Sequence, residues 1–160
     1  VRWHFIGRLQ RTKARKALML FDAIHSVDSL RLAGHLSRIA GEMGKAAKIY
    51  LQVNLDQEKS KGGFSVSQLR KDLPELLAMP DLHLSGLMSI PPAVDHPEKA
   101  RSSFRKLREF RDSLEGDAGV KLKGLSMGMS HDFEVAIEEG ATIVRVGSSI
   151  FGPRSYKGLP

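Results

Sequence analysis

Two stretches near the C-terminal end decide the fold: Leu125-Ser126-Met127-Gly128-Met129-Ser130 and Val144-Arg145-Val146-Gly147-Ser148-Ser149-Ile150-Phe151-Gly152. Each is a short apolar run that breaks into a Gly/Ser turn, and the first leads into an acidic helical stretch. Glycine lets the backbone approach a ligand closely, serine adds a hydroxyl, and a helix start offers free N–H groups. Such a turn is an anion pocket, most often for phosphate. Arg145, inside the second run, adds a positive charge that stays fixed near neutral pH. Together they point to a phosphorylated small molecule.

Working outward, further apolar runs cover 3–7, 23–27, 48–54 and 84–90, followed by those at 124–127 and 142–150. Between them the period changes to that of a helix. From Asp28 to Gly44, the residues Leu32, Leu36, Ile39 and Met43 line one face, with Asp28 as N-cap and Gly44 as stop. From Glu98 to Glu115, Ala100, Phe104, Leu107 and Leu114 repeat the pattern behind Pro97, which suits a first turn. A weaker helix spans 67–79, where Pro74 is expected to kink or divide it. Ser130 is placed as the cap of a helix that runs through Glu139 to Gly140, with Glu138 and Glu139 facing solvent.

Strands alternating with helices imply a parallel sheet covered by helices. A Rossmann sheet would need Gly-x-Gly-x-x-Gly after its first strand, and only Gly7 stands there. A (β/α)8 barrel instead binds phosphate at the loops after its seventh and eighth strands, and here the two Gly/Ser turns follow the last two strands. The expected fold is therefore α/β, a TIM-type barrel with six strands present and about the first two lacking, in one domain over 1–160. Such a sheet leaves two open edges, which favours association.

Composition narrows the function classes. A chain of 160 residues with 41% hydrophobic and 27% charged residues has the profile of one globular core. No apolar run approaches the ~20 residues of a membrane span, and no secretory leader pattern is present. The absence of cysteine rules out disulfide and thiolate chemistry and fits a cytoplasmic setting. The net charge of +7 is concentrated early, in Arg2, Arg8, Arg11, Lys13, Arg15 and Lys16. A single-strand nucleic-acid surface would interleave aromatic residues with such a run, so it reads as a solvated basic face. The six histidines show no metal-ligand spacing, and no Gly-x-Ser-x-Gly nucleophile turn occurs.

A family resemblance runs through the same residues. Trp3-His4-Phe5-Ile6-Gly7-x-Leu9-Gln10, His25-Ser26-Val27-Asp28, and Gln52-Val53-Asn54 with Glu58, Lys61 and Gly63 are similar to the pyridoxal-phosphate homeostasis proteins. So are Gly86-Leu87-Met88-Ser89-Ile90-Pro91, Ser126-Met127-Gly128-Met129-Ser130-x-Asp132, and Arg145-Val146-Gly147 with Phe151-Gly152. The resemblance extends in one order from Trp3 to Tyr156. It implies a barrel like the N-terminal domain of alanine racemase, holding pyridoxal 5′-phosphate (PLP) at the C-terminal mouth of the strands. In that family a strand upstream of the first one here carries the lysine that forms the Schiff base. The chain therefore resembles an N-terminally shortened member, impaired as it stands, in which no position is assigned to that lysine. Thr12 departs from the family's usual asparagine.

On these grounds Ser126, Met127 and Ser130 are the candidate donors after the seventh strand, and Gly147 and Ser148 those after the eighth. Arg145 shares a strand face with Ile143 and Gly147 and is expected to point inward. The resemblance implies that it hydrogen-bonds the pyridine nitrogen. Having donors only, it leaves that nitrogen unprotonated and weakens PLP as an electron sink, which favours a carrier or a mild racemase-like chemistry over decarboxylation or transamination. Asn54 and His4 are candidates for the ring side of the cofactor, Lys61 reads as a surface lysine, and Met88 as a packing residue. The expected function is PLP binding in intracellular PLP homeostasis, as carrier or reservoir without a reaction of its own. The alternatives are a PLP-dependent amino-acid racemase of the same fold and, more distantly, a basic nucleic-acid-binding module.

Overall fold

The order of the strands settles the architecture. The computed structural model describes residues 1–56, 58 and 61–152. It contains β1 (His4–Phe5), α1 (Ala14–Leu20), β2 (Ala23–Val27), α2 (Leu30–Glu42), β3 (Ala47–Gln52), α3 (Val66–Ala78) and β4 (Leu82–Met88). There follow α4 (Arg101–Ala118), β5 (Gly124–Met129), α5 (Phe133–Glu138), β6 (Ile143–Arg145) and α6 (Ser148–Phe151). All neighbouring strands pair in parallel. Their order in the sheet is their order in the chain, β1-β2-β3-β4-β5-β6. A doubly wound sheet would reverse at a switch point, whereas a barrel winds on in one direction. The sheet curls far enough for His4 and Ile6 at one edge to face Ile143, Arg145 and Gly147 at the other across one cleft. Six parallel strands thus form a half-barrel.

Two layers of packing follow from alternation along the strands. Ile24, Ile49, Leu51, Leu87, Leu125 and Met127 are buried under the amphipathic helices, which contribute Leu36, Leu73, Phe104, Leu107 and Leu114 among others. The inner face is smaller: Ala23, Tyr50 and Met88 cluster with Ile143 against them. Met88 is therefore an interior packing residue. Trp3 and Ile6 beside β1, and Ile150 and Phe151 beyond β6, remain exposed, so apolar groups flank both open edges.

Several local expectations change. Ser29, not Asp28, caps α2: its hydroxyl accepts the Leu32 N–H and donates to the Asp28 carboxylate. A β-region Ser directly before the helix satisfies an orphan N–H better than a residue one step further out. α3 runs unbroken through Pro74, because Leu69, Leu73 and Leu76 bury its face on both sides of the proline. The first run yields only a two-residue strand, and the run over 142–150 splits into β6 and α6 at Gly147. The last residues of the family resemblance, 153–156, lie outside the described residues.

Close approach of backbone to backbone fixes β4 against β5. A Cβ on Gly86 would stand 1.9 Å from the Gly124 carbonyl oxygen, and one on Gly124 would meet the Tyr50 ring at 2.3 Å. Gly116 on α4 has open space around it. Gly86→Ala is expected to lower stability by more than ~2 kcal/mol through overpacking, whereas Gly116→Ala should raise it by up to ~1 kcal/mol through helix propensity. Urea unfolding of the two variants checks this, and equal midpoints would contradict the packing argument.

Candidate functional site

The interior of the half-barrel holds one continuous polar chain. From the end of β6, Arg145 Nη1 donates to the Ser126 carbonyl (2.8 Å) and hydroxyl (3.0 Å), and Nη2 donates to the Ser89 carbonyl (2.9 Å). Ser126 Oγ is also 2.8 Å from His25 Nδ1, and His25 Nε2 is 2.9 Å from His4 Nδ1. Tyr50 stacks on His25 with ring centroids 4.2 Å apart. Ser126 and His25 are fully buried, so an unpaired hydroxyl hydrogen would be costly. One proton arrangement pairs every group: Ser126 accepts from Arg145 and donates to His25 Nδ1, and His25 Nε2–H donates to His4.

Electrostatics agree with that arrangement. Burial, then the neighbouring His4, Arg145 and Lys48, bring His25 down from 6.5 to about 4. The ring is neutral at pH 7. Burial also lowers Arg145 to about 10, which leaves it charged, and among the described residues it pairs with no carboxylate. Its hydrogen bonds to main-chain oxygens hold it instead.

At the C-terminal ends of β5 and β6 the two Gly/Ser turns meet. The Ser130 hydroxyl accepts the N–H of Gly147 (2.9 Å) and of Ser149 (3.3 Å), and Ser149 Oγ donates to the Ser130 carbonyl (3.3 Å). Ser130 therefore does not cap the following helix. Asp132 stands at that position, its carboxylate accepting the Met129 N–H, and the serine hydroxyl finds stronger partners across the turn. Gly128 is at φ +92°, where a Cβ would strike Ala136 at 2.6 Å, so the turn requires glycine. Ser148, at the exposed start of α6, stands beside this cup.

His4, Arg145 and Gly147 line a cleft of about 390 Å³; Ser126 is hydrogen-bonded to Arg145, Ser130 to Gly147, and Ser148 follows Gly147 in the chain. Met127 offers only its backbone there, since its side chain is buried on the helix side. Asn54 stays apart: its amide donates to the carbonyls of Glu58 and Lys61 and accepts the Glu58 N–H. Lys61 is not a free surface lysine, because its ammonium binds the Ile90 and Pro91 carbonyls and pairs with Glu58. Glu139, expected in solvent, is buried under Arg101, Arg105 and Arg108. Hydrogen bonds from Arg105, Arg108 and Arg101 hold its carboxyl down at about 2 against the cost of burial. Sequence reasoning missed His25, Ser89 and Ser149. A histidine inside a wholly buried five-residue strand was the available signal. The Ser89 hydroxyl is buried with no partner among the described residues.

The chain is similar to known proteins over nearly its whole length. The alanine racemase N-terminal domain family matches residues 2–155. The pyridoxal phosphate homeostasis protein of Aquifex aeolicus is 46% identical over 154 residues, covering 96% of this chain and 68% of the relative. The chain belongs to the pyridoxal phosphate homeostasis protein family. The family member from Synechocystis is 41% identical over 154 residues, 96% of this chain and 71% of its own length. PipY of Synechococcus elongatus, in a structure with PLP bound, superimposes with a TM-score of 0.89 at 43% identity, covering 95% of this chain and 71% of PipY. The alanine racemase of Clostridium difficile shares the fold, with a TM-score of 0.73 at 17% identity over 94% of this chain and 41% of the racemase. Against both homeostasis relatives the chain spans about two thirds of the longer protein.

The lowered His25 pKa makes stability depend on pH. The unfolded histidine binds a proton below 6.5 and the folded one only below about 4, so the unfolded state is favoured as pH falls between these values. On the order of 3 kcal/mol is at stake over that window. Denaturant unfolding at pH 7, 5.5 and 4 should show this loss, and His25→Asn should flatten the dependence while lowering stability at pH 7.

Proposed function

We propose that the chain binds PLP at the C-terminal end of the half-barrel, as a cofactor reservoir or carrier in PLP homeostasis rather than as an enzyme. The observation that carries this reading is the convergence of the Gly147 and Ser149 N–H groups on a single oxygen, that of Ser130. A phosphate oxygen has the same acceptor chemistry, and the loops after the last two strands are where barrels bind phosphate. Rotation of the Ser130 side chain away from the two N–H groups frees them and turns its hydroxyl into a further donor. Ser148, at the exposed start of α6, extends the cup.

Arg145 and His4 line the neighbouring cleft, and on this reading they face the ring side of the cofactor. When bound, PLP supplies an aldehyde and an electron-withdrawing pyridine ring. Arg145 remains a cation held by three acceptors, so it presents N–H donors and gives up no proton to a ring nitrogen. An unprotonated pyridine is a weak electron sink, which supports retention of the cofactor over turnover of an amino acid. The buried Ser126–His25 pair keeps the guanidinium from swinging. The PLP named for the homologous PipY supports the same reading.

Equilibrium dialysis with PLP tests the cup. Ser148→Asp sets a like charge beside the phosphate and is expected to weaken binding at least tenfold, or ~1.4 kcal/mol. Ser130→Ala should weaken it less, because the two N–H groups remain. Unchanged affinity in both variants would remove the phosphate from these loops.

A further inference from the structure

The opposite end of the sheet carries a second constellation that the cup does not use. On β3, Ala47, Ile49 and Leu51 are buried on the helix side, so Lys48 and Tyr50 face the interior. Lys48 lies beside His83 in the β3–β4 register. Gly86 lies beside Gly124 in the β4–β5 register. Lys121 and Lys123 immediately precede β5. Leu122 between the two lysines is buried in the helix-side core, which turns Lys121 and Lys123 to the inner face. Lys48 and His83, paired on β3 and β4, and Lys121 and Lys123 just before β5 thus gather at one end of the sheet.

These residues line a single cavity of about 610 Å³ together with Tyr50, Ser85 and Thr142. No carboxylate lines the cavity. None of the three lysines takes part in an ion pair among the described residues. The cationic cluster is therefore uncompensated by the protein.

The wall of the cavity also carries an unengaged hydroxyl. The body of Tyr50 is buried, while its hydroxyl reaches the cavity and makes no hydrogen bond among the described residues. It lies over Gly124, 2.9 Å from where a Cβ of that residue would be, on the wall of this cavity. Burial raises its pKa, so it remains an O–H donor at neutral pH. The glycines at 86 and 124 leave the space in which the phenol lies.

We propose that the N-terminal end of β3–β5 is a second anion site, in which Lys48, Lys121 and Lys123 with the Tyr50 hydroxyl bind a small, multiply charged phosphate compound. Lysines act as mobile point charges on phosphate oxygens, and a partly enclosed cavity strengthens their field. The six residues of β5 separate Lys123 from Ser130, roughly 20 Å at the rise of a strand. The two sites therefore do not share a ligand, and this one stands whether or not PLP occupies the cup.

Amide NMR of the whole 160-residue chain, titrated with pyrophosphate, inorganic phosphate and PLP at constant ionic strength, tests the proposal. Pyrophosphate is expected to shift Ser85 and Gly124 saturably, and more tightly than inorganic phosphate does. Lys121→Gln/Lys123→Gln should weaken that response at least tenfold while leaving any response of Gly147 and Ser149 intact. Lys13→Gln/Lys16→Gln, which removes the same charge elsewhere, should not weaken it. Tyr50→Phe should reduce affinity severalfold with the lysines in place. If PLP also shifts Ser85 and Gly124, the ligand class includes phosphorylated pyridines. A response confined to Gly147 and Ser149, or an equal loss in both lysine pairs, would overturn the site.

Discussion

The half-buried guanidinium of Arg145 is the constraint around which the interior is arranged. It is a cation without a paired carboxylate among the described residues, solvated by two main-chain oxygens and one hydroxyl. Those acceptors belong to β5 and to the residue after β4, so one side chain ties three strands together at their C-terminal ends. Through Ser126 the chain of hydrogen bonds continues to His25 on β2 and His4 on β1. A desolvated charge is costly unless its donors are met. That requirement fixes the curl of the sheet across the interior, which apolar packing alone would specify less sharply.

Charge is buried differently outside the barrel. Glu139 lies at the end of α5 and accepts from three arginines along one face of α4. Arg101 also reaches Glu98 and Glu138. This network locks α4 onto α5, the helix that follows the first Gly/Ser turn, and so steadies the cup from behind. Inside, a lone cation solvated by carbonyls stays available to a ligand. Outside, a carboxylate saturated by guanidinium groups is structural. The same pair of residue types serves both ends because only the partners differ.

The two ends of the strands are chemically distinct as well. At the C-terminal end, turns supply N–H groups and hydroxyls that converge on a point. At the N-terminal end, lysine side chains from β3 and from the residues before β5 line a partly enclosed cavity. Tyr50 and His25, stacked between them, form the floor that separates the two spaces.

Much of this was legible along the chain. Apolar runs alternating with helical periodicity give a parallel sheet, and Gly/Ser turns after the last two runs locate the phosphate-type loops, because both signals are local and periodic. Even so, segment ends were misjudged where a single residue decides them, as Ser29 does for α2 and Gly147 does between β6 and α6. What the sequence could not state is who meets whom across the sheet. Ser126 and His25 are separated by 101 residues, and nothing local in either marks the other. Glu139 looked solvent-facing because its arginines come from a different helix. Lys48 and His83 become neighbours only once parallel register is set, and register is a property of paired strands. Local pattern determined the elements and the kind of loops. Tertiary structure decided which charges are compensated, because compensation depends on distances between residues far apart in the chain.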